Sequence, residues 1–256
     1  MCLLVMAYRC HPKFPLIVAA NRDEFFNRPT AAAAYWADHP DVLAGRDLEQ
    51  GGTWMGVNKN GRFAALTNVR DPSALRSSAK SRGHLVSKFL TGYDTPTNFL
   101  ATLVSESDDY NGFNLIVGAN DELAYFGSVT KKAAPILPGV YGLSNDQLNT
   151  PWPKVVRART KLKSALGGNS EALEQRLLSL LSDDSLANDD ELPDTGVGLE
   201  KERWLSPIFI RTPNYGTRCS TLLLAKHDGE IQYIERSVNA DSLRRFSFTV
   251  TTNLTS

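Results

Sequence analysis

The sequence is poor in the residues that build disulfide frameworks and metal centres. Its 256 residues include only three cysteines and four histidines. An odd and sparse set of cysteines argues against a disulfide framework and is typical of a reducing compartment. The histidines are scattered and follow no metal-binding spacing: His11, His39, His84 and His227. We therefore predict a cytoplasmic protein without a metal site.

No charge of one sign dominates, because 28 lysines and arginines stand against 28 aspartates and glutamates. Affinity for nucleic acid comes mostly from neutralised phosphates and requires a basic surplus or stripe. We therefore expect no nucleic-acid partner. The alternative is a local basic patch, formed by Arg70, Arg76, Lys80 and Arg82.

Long hydrophobic runs are also missing. No stretch approaches the roughly 20 apolar residues of a membrane helix. The first apolar run, Leu3 to Tyr8, is broken by Arg9 and follows no basic start, so we expect no secretory signal. G-x-G-x-x-G and Walker motifs are absent as well.

The composition that is present suits a globular protein. Hydrophobic residues make up 42% and charged residues 22% of the chain, both close to the usual averages. A chain of this length buries roughly three quarters of its unfolded surface and needs no staple to hold a core. We predict one domain over residues 1–256.

Strand signals dominate the first 70 residues. Residues 3–6 and 16–20 are apolar runs joined by a proline-bearing turn, which predicts a hairpin. Asn60-Gly61 is a strong two-residue turn signal between runs at 53–57 and 63–67. Together these patterns predict a β-meander.

Helical signals follow the meander. Ser81 is the expected cap of a helix through Leu90, and Thr95-Pro96 the expected start of another through Val104. Further helices are predicted over 153–166 and 170–181, and the acidic stretch 182–194 is expected to be a mobile loop. Further strands are predicted at these positions: 114–117, 123–126, 141–143, 220–225, 230–235 and 246–250. This is an α+β layout, and two packed sheets with helix pairs outside is one architecture that fits it.

Cys2 is the most informative single residue. Removal of the start methionine is favoured before a small residue, and it would give Cys2 a free α-amine. The pKa of such an amine, about 7.7–8.0, suits a general base near neutral pH. Thiol and base would then belong to one residue, as in N-terminal nucleophiles. A cysteine at this position is also compatible with an ordinary strand residue.

Polar residues at strand ends are candidates to support that nucleophile. Asn21-Arg22-Asp23-Glu24 follow the second predicted strand, so they are expected to lie beside the N-terminus. Asp23 could hold the amine of Cys2 and Arg22 could face its thiolate. Asn68 and Asn145 follow two other strands, and their amides could donate to an oxyanion. The alternatives are a charged turn and ordinary turn asparagines.

Two other kinds of site stay open. A Cys-His-Asn relay could use Cys10 or Cys219. Cys10-His11 could instead supply an axial ligand to haem iron.

Several motifs occur along the chain in a fixed order. They are Met1-Cys2, Asn21-Arg22-Asp23-Glu24-Phe25, Gly45-Arg46-Asp47, Gly51-Gly52-Thr53-Trp54, Thr67-Asn68-Val69-Arg70, Tyr141-Gly142-Leu143-Ser144-Asn145, Pro151-Trp152-Pro153-Lys154 and Arg218-Cys219-Ser220-Thr221. In order and spacing, this set resembles the NRDE family of transport and Golgi organisation proteins.

The resemblance implies a fold and a set of residue roles. NRDE proteins are similar to N-terminal-nucleophile hydrolases, so the implied fold is a four-layer αββα sandwich. By matching position, Cys2 is the implied nucleophile, Asp23 its acidic partner, and Asn68 and Asn145 the oxyanion donors. Arg218 matches a supporting arginine that occurs late in the sequences of the relatives. Arg22 departs from the relatives in spacing, because it directly precedes the aspartate, so its role is the least defined.

Two functions are consistent with this resemblance. One is hydrolysis of a small-molecule amide through acyl transfer to Cys2, which requires no cofactor. The other is a non-catalytic carrier of haem or an acyl-type lipid in intracellular trafficking. The family is associated with secretory organisation, lipid homeostasis and proposed haem trafficking, and a fold by itself does not decide between the two functions.

Overall fold

A computed structural model describes residues 3–238 and 240–250, which form thirteen strands and five α-helices. The strands are β1 (Leu3–Tyr8), β2 (Leu16–Phe25), β3 (Thr30–Tyr35), β4 (Val42–Asp47), β5 (Met55–Asn58), β6 (Phe63–Asn68), β7 (Phe113–Ala119), β8 (Glu122–Gly127), β9 (Lys132–Pro135), β10 (Gly139–Leu143), β11 (Tyr215–Ala225), β12 (Glu230–Ser237) and β13 (Ser242–Thr249). The helices are α1 (Gly83–Thr91), α2 (Pro96–Glu106), α3 (Pro153–Leu166), α4 (Leu173–Leu181) and α5 (Leu199–Trp204).

The strands form two antiparallel sheets with different topologies. The first sheet has six strands in the order β10-β1-β2-β11-β12-β13, so it joins distant parts of the chain. The second sheet has seven strands, β3 to β9, in chain order. Most strands of the second sheet pair with a neighbour only a few residues earlier, and only β7 pairs with its neighbour β6 across an insertion, which contains α1 and α2. In the first sheet, by contrast, β2 and β11 meet across most of the sequence.

Three apolar clusters define the layers. On β1, Leu4 and Met6 point into a core between the two sheets. Leu3 and Val5, at the alternate positions, point to a second core under α3 and α4. A third core lies between α1, α2 and the outer face of the second sheet, and it includes Phe89. The predicted α+β, four-layer αββα sandwich is therefore confirmed.

The sequence patterns predict most elements well and misplace three features. Residues 21–24 do not follow the second strand but continue it, because β2 pairs with β11 as far as Phe25. The predicted single meander is wrong, since β1 and β2 lie in the first sheet and β3 to β6 in the second. The cap of α1 is Arg82, and it makes no side-chain capping bond, so the expected cap by Ser81 is also wrong.

The acidic stretch after α4 makes more contacts than a loop prediction implies. It contains a short 3-10 turn at Asp189–Glu191, and Asp189 pairs with Arg203 of α5. Asp183 pairs with Lys161 of α3 at 2.6 Å. Helix α5 is only six residues long, and the sequence patterns do not predict it. Among the described residues, no helix is long and apolar enough to cross a membrane.

Candidate active site

A polar cavity of about 520 Å³ opens at one end of the sandwich. Three of the predicted site residues line it: Arg22 and Asp23 from β2, and Asn68 from the end of β6. The cavity therefore lies between the two sheets, with a wall from each. Arg22 and Asp23 are almost fully buried, at 4% and 3% exposure. Two adjacent buried charged residues are unusual for a structural core.

Arg22 is fixed by the second sheet. Its guanidinium lies 4.2 Å from the ring centre of Trp54 and donates a 3.0 Å bond to the hydroxyl of Thr30. Stacking on an aromatic face lets a guanidinium keep its charge while it is buried. Gly45 makes room for this stack, because a Cβ at that position would lie 2.4 Å from the Trp54 ring. Gly45 thus leaves the space that the Trp54 ring occupies beside Arg22.

Asp23 is fixed by the neighbouring strand β11. Its Oδ1 accepts a 2.6 Å bond from the hydroxyl of Thr217, which itself accepts from the backbone N–H of Ile210. The register of β2 and β11 shifts between Thr217 and Cys219, so Arg218 is the extra residue of a β-bulge. Bulges are common beside active sites, where they redirect a side chain.

Arg218 does not line the cavity but supports its wall from outside. Its guanidinium donates to the carbonyl oxygens of Phe25 at 2.6 Å and Arg28 at 3.1 Å. Burial, together with the nearby charge of Arg22, lowers the pKa of Arg218. The side chain of Arg28 in turn pairs with Asp47 at 2.7 Å and Glu49 at 3.1 Å. Arg218 therefore holds the turn that carries this ion-pair cluster.

Asn145 lies directly behind Asn68. Its amide nitrogen donates a 2.9 Å bond to the backbone carbonyl of Asn68. Its amide oxygen accepts from Ser144 at 3.3 Å and from Arg70 at 3.4 Å. Only Asn68 of the two lines the cavity. The predicted pair is thus brought together, with Asn68 in front and Asn145 as its support.

Cys2 lies outside the described residues. Leu3, the next residue in the chain, begins β1 and pairs with Asn21, the residue before Arg22. The described chain therefore begins at the same end of the sandwich as the cavity.

The four residues of the alternative basic patch all bond to other parts of the chain. Arg70 forms a buried ion pair with Glu202 at 2.6 Å. Arg76 donates to the carbonyls of Asp108 and Tyr110, and Lys80 pairs with Asp109. Arg82 bonds the carbonyl of Gly112 at 3.1 Å. Arg76, Lys80 and Arg82 thus tie the segment before α1 to the turn before β7, and all three reach the cavity wall.

The other cysteines have different surroundings. Cys10 is exposed, and its Sγ donates to the carbonyl of Tyr8. Burial raises the pKa of Cys219 well above its ordinary value, which disfavours the reactive thiolate. His11 is buried, and its Nδ1 accepts from the N–H of Lys13. No described histidine lines the cavity. Cys10 and His11 lie beyond the other end of β1. The length of the strand puts them roughly 20 Å from Leu3, at the cavity end.

Several contributors to this site have roles that the sequence did not reveal. Trp54 is part of a motif quoted above, but its stack with Arg22 joins two sheets. Thr217 directly precedes Arg218 and positions Asp23 through a hydrogen bond. Both contacts cross between distant segments, so neither has a local sequence signal. In the described ranges, no group of three or more His, Cys, Asp or Glu residues could hold a metal ion.

Among solved structures, the chain is similar to the C2A mutant of conjugated bile acid hydrolase from Clostridium perfringens. The match covers 100% of both chains at 9% identity, with a TM-score of 0.48.

Similarity to sequence relatives is much stronger. The chain is 36% identical to the Transport and Golgi organization protein 2 homolog of Bos taurus, covering 97% of both chains. It is 34% identical to the homolog of Homo sapiens, covering 98% of this chain and 99% of the relative. A family model described as Transport and Golgi organisation 2 matches residues 1–240. The chain therefore belongs to the Transport and Golgi organisation 2 family.

Proposed function

We propose that this protein is a cysteine-dependent amide hydrolase whose nucleophile is Cys2. The observation that carries the proposal is the start of β1. Leu3, adjacent to Cys2 in sequence, pairs with Asn21, and the next two residues of β2, Arg22 and Asp23, line a cavity. A buried arginine and a buried carboxylate beside the chain start suit a thiolate and an amine that work together.

The proposed reaction proceeds by acyl transfer. Once Met1 is removed, the Cys2 thiol gives its proton to its own α-amine, and the sulfur attacks the amide carbonyl. The ammonium then protonates the leaving nitrogen as the C–N bond breaks, which leaves a thioester. A water molecule, deprotonated by the amine, hydrolyses the thioester and restores the thiol.

The surrounding residues have distinct proposed roles. Arg22 stabilises the thiolate, and Asp23, oriented by Thr217, stabilises the ammonium form of the amine. The Asn68 amide, supported by Asn145, donates to the developing oxyanion. Arg218 supports the wall through the carbonyls of Phe25 and Arg28.

Intact-protein mass spectrometry tests the proposal. Purified protein is measured before and after incubation with p-nitrophenyl acetate, an activated acyl donor, and the label is mapped by peptide digestion. We expect loss of the methionine mass and one fast acyl label on Cys2. Cys2→Ala should remove this label, whereas Cys10→Ala should leave it unchanged. Asp23→Asn should slow acylation about 100-fold, within the range for loss of proton-transfer support.

Two results would contradict the proposal: retention of Met1, or a Cys2 no more reactive than Cys10. Either result would favour the non-catalytic carrier. The carrier hypothesis would then be tested by titration with haem, followed by its Soret band, and with an acyl-type lipid.

A further inference from the structure

Three residues of the family motifs surround α5, a short helix that the sequence does not predict. Arg70, Trp152 and Lys154 come from two motifs, and none of the three has a role in the function proposed above. Lys154 is buried and donates a 2.9 Å bond to the carbonyl of Leu205, at the end of α5. The guanidinium of Arg70 lies 5.0 Å from the ring centre of Trp152. Both motifs therefore hold the same region.

Glu202 is the residue of α5 that these contacts surround. It is only 2% exposed, and both of its carboxylate oxygens accept hydrogen bonds. Oε2 accepts from Arg70 at 2.6 Å, while Oε1 accepts from the backbone N–H of Thr195 at 3.0 Å and from its hydroxyl. A carboxylate buried this deeply persists only when it is paired and fully bonded. Its partner Arg70 is therefore held in one place.

Arg70 carries this restraint to the candidate site. Its backbone N–H donates to the carbonyl of Asn145 at 2.7 Å, and its second guanidinium nitrogen faces the Asn145 side-chain oxygen at 3.4 Å. A cation on that side fixes which end of the amide is oxygen. The amide nitrogen is thereby directed to the carbonyl of Asn68, 2.9 Å away. The chain of contacts runs from Glu202 through Arg70 and Asn145 to Asn68.

The ion pair is shielded from bulk water. The side chains of Arg70 and Glu202 are only 11% and 3% exposed. The space between them, Trp152 and Lys154 has a volume of about 10 Å³. That volume is no larger than one water molecule requires. Screening is weak in such surroundings, so the pair is more strongly coupled than an exposed one.

We propose that Glu202 is a positioning residue for the oxyanion donor Asn68, acting through Arg70 and Asn145. The proposal rests on the function proposed above. It makes α5 a functional element, although Glu202 does not line the cavity. Loss of the ion pair should therefore slow the acylation step without weakening the binding of the acyl donor.

The test compares two adjacent residues of α5. Cys2 acylation is measured over a range of p-nitrophenyl acetate concentrations for wild type, Glu202→Gln and Arg203→Gln. Arg203 is the matched control because its ion pair with Asp189 is exposed. For Glu202→Gln we expect a maximal rate about 10–100-fold lower, as for small misplacements of reacting groups, with the half-saturating concentration unchanged. Arg203→Gln should match wild type.

A double variant separates positioning from folding. Breaking a buried ion pair on one side destabilises a protein, whereas replacing both partners with apolar residues is often tolerated. Arg70→Met with Glu202→Met should therefore keep a thermal midpoint near that of wild type, yet acylate as slowly as Glu202→Gln.

If Glu202→Gln or the double variant is folded and acylates at the wild-type rate, the positioning role is overturned. A changed half-saturating concentration with an unchanged maximal rate would also overturn it. If wild type itself shows no acylation of Cys2, the proposed hydrolase function fails first, and the positioning role fails with it. The wild-type measurement thus distinguishes the two failures.

Discussion

At the scale of single residues, the members of the motif Asn21-Arg22-Asp23-Glu24 have different roles. Asn21 stabilises the fold, whereas Arg22 and Asp23 line the cavity. Successive residues of a strand point to opposite faces. Asn21 therefore points toward the helix layer, where its amide nitrogen donates to the carbonyls of Leu181 and Ile208 at 2.8 Å each. Arg22 points the other way, to Trp54, which directly precedes β5 of the second sheet. Glu24 is only half-buried at the rim.

We predict that Asn21→Ala lowers the free energy of unfolding by about 2–4 kcal/mol. The substitution leaves two buried carbonyls without their donor and removes the acceptor of the Ser220 hydroxyl, 2.7 Å away. Urea unfolding measures the loss. Glu24→Ala, in the same motif, should change stability by no more than about 0.5 kcal/mol. Equal losses in the two variants would show that the buried hydrogen bonds of Asn21 do not account for the loss of stability.

At the scale of elements, two consecutive helices begin in different ways. The hydroxyl of Thr95 accepts a 3.2 Å bond from the N–H of Asn98, and Pro96 takes the first helical position of α2. At α1, Ser81 makes no such bond, and the chain is already helical at Arg82. The next residue, Gly83, packs closely on the preceding segment: a Cβ at Gly83 would lie 3.0 Å from the carbonyl oxygen of Thr53, and a Cβ at Gly52 would lie 2.6 Å from the carbonyl carbon of Gly83. Backbone packing, rather than a side-chain cap, therefore sets the start of α1.

We predict that Thr95→Ala destabilises the protein by about 1 kcal/mol, the usual cost of losing a capping hydroxyl. Ser81→Ala is the matched control, and it should change the free energy of unfolding by no more than about 0.5 kcal/mol. Both values come from chemical denaturation at one pH. A larger loss for the serine variant would contradict the assigned helix starts.

At the scale of the whole molecule, polar contacts as well as the apolar core join the two sheets. Glu235 of β12 is buried between them, and its Oε1 accepts a 2.6 Å bond from the N–H of Ala33 on β3. That N–H lies where the pairing of β3 and β4 is interrupted. Arg244 of β13 donates to the carbonyl of the same alanine at 3.1 Å. Glu235 and Arg244 of the first sheet thus bond the backbone of β3 at the point where its pairing with β4 is interrupted.

We predict that Glu235 makes stability fall as pH rises. Burial raises the pKa of Glu235 above its ordinary value of 4.5, and the bonds from Ala33 and Cys219 with the charges of Arg244 and Arg22 offset this only in part. Between the two pKa values the folded chain keeps a proton that the unfolded chain releases. The free energy of unfolding contributed by this group therefore decreases as pH rises through that interval.

Glu235→Gln isolates this contribution from other carboxylates, because the variant keeps an acceptor for Ala33 and cannot titrate. Urea unfolding of both proteins is measured at steps between about pH 4 and pH 8. Wild type should lose stability relative to the variant as pH rises. A constant difference would mean that Glu235 has the same pKa in the folded and unfolded chains.

Much of the fold follows from local patterns. The hairpin of β7 and β8 and the helix α3 form where the periodicity predicts them, because alternation and helical spacing reflect which faces are buried. The failures have physical causes. Polar residues 21–24 read as a strand end, but a strand that lines a cavity can remain polar. Helix α5 is too short for a periodic signal, and buried tertiary partners hold it.

The sequence by itself determined most of the elements, their apolar faces and the family, but not β3, β4, β9 or α5. The elements it determined depend on residues close together in the chain, and the family depends on motifs in order. It also indicated Arg22, Asp23 and Asn68, which share one cavity. Only the tertiary structure decided that Thr217 orients Asp23 across 194 residues and that Glu202 reaches Arg70 across 132 residues. Such contacts depend on which strands and helices become neighbours, and hydrophobic periodicity does not encode that choice.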